Sequence, residues 1–282
     1  MAAVTTRPAR PGPAHGPTMP AGLAGTLRSE LTKIRSVRST YWSLLLVVVA
    51  GIAWSVAFCA GEASHWPHMA AQDKAGFDPT QSSIVGLALL GQLVIVVLGT
   101  LCITSEYSTG MIRTSLTVMP RRPVLYAAKA AVFTAIALVV AFVTSFAAFL
   151  IGQALLSSTH AAATLSQPNV LRAVIVSALY VALCGLFSFG LGAILRSTAG
   201  AMAAAYGLLF LVPQLAKALP STWYADVVRW LPGGDVVNAI TSTRSSSLSP
   251  DMFPAWGEFA VFGAYTVVVL VAGAVLFRHR DA

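Results

Sequence analysis

The sequence predicts an all-α integral membrane protein of six transmembrane helices, and three observations predict it. Of its 282 residues, 56% are hydrophobic and only 10% are charged, whereas an ordinary soluble domain carries about 25% charged residues. The apolar residues gather into six uncharged intervals, 39–61, 79–105, 130–156, 173–195, 197–216 and 259–277. Each is close to the ~20 residues that a helix needs to cross a hydrocarbon core of about 30 Å. Lys and Arg then fall mostly on one side of the membrane that these intervals define. Every interval has to be helical, because lipid offers no partner to an unpaired backbone N–H or C=O.

Residues 1–20 hold Pro8, Pro11, Pro13, Pro17 and Pro20 among small residues, a composition that builds no core and predicts a disordered cytoplasmic tail. The remainder, 21–282, reads as one six-helix domain. In its first stretch Leu23, Leu27, Leu31, Ile34 and Tyr41 recur at helical spacing, with Arg28, Lys33 and Arg35 off that stripe. This predicts an amphipathic helix lying in the membrane interface, although Glu30 and Arg38 project close to the apolar stripe. Tyr41 and Trp42 suit the aromatic belt where the first span, 42–60, begins. The stretch "AFCAG" around Cys59 resembles a lipoprotein cleavage site, but the leader before it is too long and Phe58 too bulky, so the first span is expected to stay as an anchor.

The second and third spans are placed at 83–104 and 131–155, the fourth at 173–195. The fifth, 198–216, contains Gly200, Gly207 and Pro213; a broken or re-entrant helix is the alternative, and a full span is expected because Gly and Pro are tolerated in membrane helices. Gly200, Ala203, Ala204 and Gly207 are expected to let helices approach closely. Between spans five and six, 225–230 and 235–240 are expected to form short helices at the outer interface, anchored by Trp223, Tyr224 and Trp230. The following "TSTRSSSLSP" is expected to be a flexible loop, and the last span covers 259–277.

Orientation follows from charge. With six spans, Arg7, Arg10, Arg28, Lys33, Arg35, Arg38, Arg113, Arg121, Arg122, Lys129, Arg196, Arg278 and Arg280 share one side. Only Lys74, Arg172, Lys217, Arg229 and Arg244 share the other. The positive-inside rule then puts both termini in the cytoplasm. The net charge of +8 is thus explained by contact with the anionic inner leaflet rather than with nucleic acid.

Several chemistries are missing. Cys59, Cys102 and Cys184 all lie in predicted spans without paired spacing, as small packing residues do. His65 and His68 in "HWPH" have Pro67 between them and no further ligand to complete a metal site. No Walker-type glycine loop is present, so no nucleotide hydrolysis is expected of this chain. No histidine or buried carboxylate is placed to activate a serine, so the chain is not expected to be an enzyme. No ionised residue falls inside any of the six spans, whereas ion-coupled transporters usually keep acids or histidines at membrane depth, which weighs against a secondary transporter. The polar residues left inside, among them Thr144, Ser145, Ser177 and Ser188, are expected to tie helices together or to bond their own backbone. Gln92, Gln153 and Gln214 are candidates for lining a substrate path.

One segment interrupts the apolar pattern with chemistry of its own. After span two comes "EYSTGMIRTSLTVMPRRPVLYAAK", in which Ile112, Leu116 and Met119 stand at i, i+4 and i+7 while Arg113 and Thr117 fall elsewhere. That describes a short helix with one apolar face. Gly110 permits a sharp change of direction before it, and Pro120 and Pro123 end it. Two helical turns alone are marginal in water, so the element needs something to dock against.

These residues resemble the first cytoplasmic loop of the ABC-2 type permeases, the membrane subunits of ATP-binding cassette exporters. The family pattern is an acid and an aromatic, a glycine, a basic residue, a leucine, a proline, an arginine and a lysine opening the third span. Here they are Glu106, Tyr107, Gly110, Arg113, Leu116, Pro120, Arg121 or Arg122, and Lys129. Met111 stands where the family often has Thr. The layout of entry helix, six spans and a large outer segment before the last span extends the resemblance over nearly everything after the proline-rich tail.

The resemblance implies a coupling helix within 106–119, with Glu106, Tyr107, Gly110, Ile112, Arg113, Leu116, Arg121 and Arg122 engaging a separate ATPase subunit. It further implies a dimer of membrane subunits, with ATP and Mg held by the ATPase partner and no cofactor in this chain. The expected function is export of an amphipathic or drug-like molecule across a bacterial inner membrane. Glu106 is expected to pair with Arg113 or with a basic residue of the ATPase. Arg121, Arg122 and Lys129 serve equally as topology markers. A non-transporting membrane anchor or immunity component remains the reading from a different class.

Overall fold

The computed structural model describes residues 23–110, 122–234, 240–242 and 253–279. The predicted coupling residues Ile112, Arg113, Leu116 and Arg121 lie outside them, as do the tail and most of 235–252. Within the described residues all regular structure is helical. The entry helix α1 (Leu23–Ser36) is followed after Val37 by α2 (Arg38–His65). A short α3 (Ala71–Gly76) precedes α4 (Pro79–Gly86), which runs through a π-turn at Leu87–Gly91 into α5 (Gln92–Ser108). The longest helix, α6 (Arg122–Leu156), leads to α7 (Val170–Leu195). Next come α8 (Thr198–Tyr206), a second π-turn at Gly207–Leu211, α9 (Val212–Ala216), α10 (Ser221–Val228) and finally α11 (Ala255–His279).

Six of these stretches are long and apolar enough to cross a membrane: Arg38–His68, Pro79–Ser108, Arg122–Thr159, Val170–Leu195, Thr198–Ala216 and Trp256–His279. The fifth is a continuous helix with a π-turn ahead of Pro213 rather than a broken one. The helices run beyond the uncharged intervals, so Glu106, Lys129 and Arg172 fall within them, and the expectation of charge-free spans is corrected at their ends.

The α7 helix is the axis of the bundle, packed against α5, α6 and α11, while α2 lies across α6. Close approach comes from small residues; of those expected, Ala204 packs against the main core, and the tightest contact lies elsewhere. A Cβ on Gly99 would lie 2.1 Å from the Gly185 carbonyl oxygen, which fixes α5 against α7, whereas nothing stands within 4 Å of a Cβ on Gly207. On α8 the face turned inward is that of Ala201 and Ala205, while Ala203 is exposed. Hydroxyls add the cross-links expected of them. Ser55 donates to the Ala148 carbonyl at 2.7 Å, Ser145 to that of Val174 at 2.8 Å, and Ser145 meets Ser177 at 2.7 Å. Thr144 and Ser188 bond their own helices. Large apolar side chains such as Leu46, Val49, Val143, Leu211, Val268 and Val271 face outward, where lipid takes the place of a protein core.

Candidate functional site

Chain direction alternates from span to span, so the end of α5 and the start of α6 meet at the same end of the bundle as α1. Around that meeting point four charges are brought together. Lys129, set among small and apolar residues in "YAAKAAVF", is 3% exposed. Its Nζ lies 2.5 Å from Glu30 Oε2 and 2.6 Å from Glu106 Oε1. The half-buried Lys33 donates to Glu30 Oε1 at 2.8 Å and to Glu106 Oε1 at 3.1 Å. Two ammoniums thus face two carboxylates, an arrangement without net charge that ties α1 to α5 and α6. Burial of this kind is tolerated only when each charge is matched, since desolvating a lone ion costs several kcal/mol.

Glu106 finds partners within the bundle, at Lys129 and Lys33; Arg113, the partner suggested by sequence, lies outside the described residues. Its second oxygen, Oε2, is buried with no hydrogen-bond partner among the described residues. The carboxylate is held through one oxygen and retains an acceptor for a different donor.

Glu30 and Lys33 also revise the reading of α1. The face turned to the bundle carries Thr26 and Glu30, both buried, while Leu31 is exposed. Glu30, taken from sequence as an imperfection in an apolar stripe, is the residue that docks the helix. A signal was present: a lysine amid apolar neighbours requires a counter-charge, and Glu30, Glu106 and Asp281 are the acids on the basic side.

Beside the charges lies an aromatic relay. Tyr107 contacts Phe277 edge-on with ring centroids 6.4 Å apart, and Phe277 meets Tyr126 at 5.7 Å. Tyr126 meets Phe189 at 5.2 Å and donates to the Leu270 carbonyl at 3.2 Å. The Arg196 guanidinium sits 4.9 Å from the centroid of the Tyr107 ring, a cation–π contact that closes the end of α7 onto α5. Gly110 follows at φ 70°, a left-handed backbone suited to glycine just past the end of α5. Arg122 opens α6.

The three glutamines diverge. Gln92 accepts from the Tyr180 hydroxyl at 2.7 Å. Gln153 donates to the Pro79 carbonyl and to Ser83 Oγ, each at 2.9 Å, and accepts from Ala163 N–H at 2.7 Å. Both amides are committed to separate helix contacts, and Gln214 lies exposed on α9.

The model of the ABC-2 family transporter protein matches residues 31–282. The chain belongs to the ABC-2 transporter family. No curated protein matches it. Family membership makes this a multi-pass membrane transport protein, of a class that generally works with an ATPase subunit. In this ABC-2 protein the neutral four-charge cluster and the Tyr107 relay lie where α5 ends and α6 begins.

The opposite end of the bundle is also polar. Asp78, 5% exposed, caps α4 by accepting from Thr80 N–H at 2.9 Å and Gln81 N–H at 3.0 Å. Thr241 and Ser242 are buried there, which corrects the expectation that "TSTRSSSLSP" is flexible from its first residues. The short helix expected over 225–230 begins earlier, as α10, and Trp230 packs edge-on against Phe253 at 5.1 Å.

Proposed function

We propose that this chain is the permease subunit of an ABC-2 exporter, with both termini in the cytoplasm and multi-pass insertion in the inner membrane. Two copies would pair with two copies of a separate ATPase subunit, which holds ATP and Mg. The transported molecule would be amphipathic or drug-like, moved outward through the apolar bundle. The observation that carries the reading is the family match joined to the placement of Glu106 and Lys129: the two ends of the segment that resembles the coupling element meet in a buried ionic joint shared by α1, α5 and α6.

An ATPase can bias inward-facing and outward-facing states only through a contact that differs between them. A joint of ion pairs supports such transmission, because it is stiff while intact and can be repartnered, whereas apolar side chains sliding in lipid are neither. Contact with the ATPase falls to Ile112, Arg113, Leu116, Arg121 and Arg122 in this reading, with Tyr107 and Gly110 setting the loop's exit and Glu106 anchoring it.

Co-expression with a nucleotide-binding subunit tests the proposal. The purified chain alone should hydrolyse no ATP, and the ATPase should co-purify with it. Leu116→Asp should abolish co-purification while membrane insertion persists. An ATPase that binds the Leu116→Asp variant as well as the parent chain would overturn the coupling role.

A further inference from the structure

Ser242 and Thr241 are held in an unusual way. The Ser242 N–H donates to Asp78 Oδ2 at 2.6 Å and its hydroxyl to Asp78 Oδ1 at 2.9 Å. The Thr241 carbonyl accepts from Arg172 Nη2 at 2.6 Å. Thr241 C=O and Ser242 N–H belong to one peptide unit, so a carboxylate from the start of span two and a guanidinium from the start of span four grip its two ends. The residue just before, Ile240, is fully buried in the main apolar core. A loop between spans five and six therefore inserts an aliphatic side chain into the end of the bundle and is fastened there by two charged groups.

We propose that residues 240–242 are the outer gate of the permease, with Ile240 as the plug and Asp78 and Arg172 as a latch on the Thr241–Ser242 peptide. This rests on the exporter reading, in which the outer end must open once per cycle. The latch suits a gate because its strength is polar and gathered at two adjacent residues, Thr241 and Ser242. Releasing that peptide frees the plug while the α4 cap, made through Asp78 Oδ1, stays in place. Charge-assisted hydrogen bonds at both ends of a peptide make the closed state definite, and water can replace them when the loop lifts.

The substitution Asp78→Asn separates the latch from the cap. Asparagine is as good an N-cap as aspartate, and its oxygen can keep Thr80 and Gln81. Its NH2 group then confronts the Ser242 N–H, donor against donor. Arg172→Gln weakens the other grip.

Thr241→Cys serves as reporter, since it keeps the backbone groups that the latch holds and leaves the Ile240 plug in place. A membrane-impermeant maleimide is applied from outside to the complex with its ATPase subunit, with the parent chain as background. The reporter should react slowly in the nucleotide-free complex. Its rate should rise about tenfold with Asp78→Asn or Arg172→Gln, the order expected for loss of one charge-assisted hydrogen bond, and should rise again when nucleotide is trapped with vanadate. Cys59 and Cys184, both fully buried, should stay unlabelled and so report an intact bundle.

Rapid labelling in every state overturns the proposal, as does a rate that the latch variants raise but trapped nucleotide leaves unchanged. Failure of the exporter reading looks different: no ATPase would co-purify at all.

Discussion

Lys129 shows how one side chain can bear on three helices. Its ammonium has Glu30 and Glu106 within 2.6 Å and almost no access to solvent. Lys129→Met should therefore lower stability by about 3 to 5 kcal/mol, the usual result of removing one member of a buried ion pair, read as a fall in the thermal midpoint in detergent. Adding Glu106→Gln should recover part of the loss, because it removes a carboxylate whose remaining partner among the described residues is the half-buried Lys33; a purely additive double mutant would contradict the pairing. In the sequence, Lys129 read equally well as a topology marker or as part of the coupling motif. Periodicity reports which residues share a helix face, and it does not report which charge another helix brings to that face, so the partnership with Glu30, 99 positions away, could not be assigned. Asp78 was missed for a related reason. The run Asp78-Pro79-Thr80 signals a helix start, but its hold on Ser242 spans 164 positions.

At the level of helices, contact depends on what is missing from side chains. Between α5 and α7, Gly99 and Gly185 bring the two backbones together. Gly99→Ala should force them apart at a cost of about 1 to 3 kcal/mol, typical of overpacking. Gly207→Ala, with open space around it, should leave the thermal midpoint unchanged or raise it. The six spans themselves were legible because length and hydropathy dictate them. Which small residue touches which helix was not, since glycine in an apolar run has the same local signature in a contact and in a bend. Gly207 proved to belong to a π-turn, and its neighbour Tyr206 reaches across to the Leu93 carbonyl.

For the whole molecule, the two ends differ in kind. One carries ionic groups from α1, α5 and α6, the other carries Asp78 and Arg172 around a peptide, and between them the spans meet through hydroxyls and small residues. Orientation can be tested directly at exposed positions of each end. Ser64→Cys should react with a membrane-impermeant maleimide on intact cells, and Ser108→Cys only after permeabilisation. The reverse pattern would invert the topology and with it the assignment of which end meets an ATPase.

The π-turn at Leu87–Gly91 lies between those two ends, on the span that holds both Asp78 and Glu106. A π-turn carries one residue more than the α-helical turn it replaces, and each residue of an α-helix advances the side chains by about 100°. The turn thus sets the rotational phase of span two. Without the extra residue, a straight helix that presented Asp78 to Ser242 would aim the Glu106 position roughly a quarter-turn or more away from Lys129. The same five residues let one helix keep two appointments that a regular spiral of its length would make mutually exclusive.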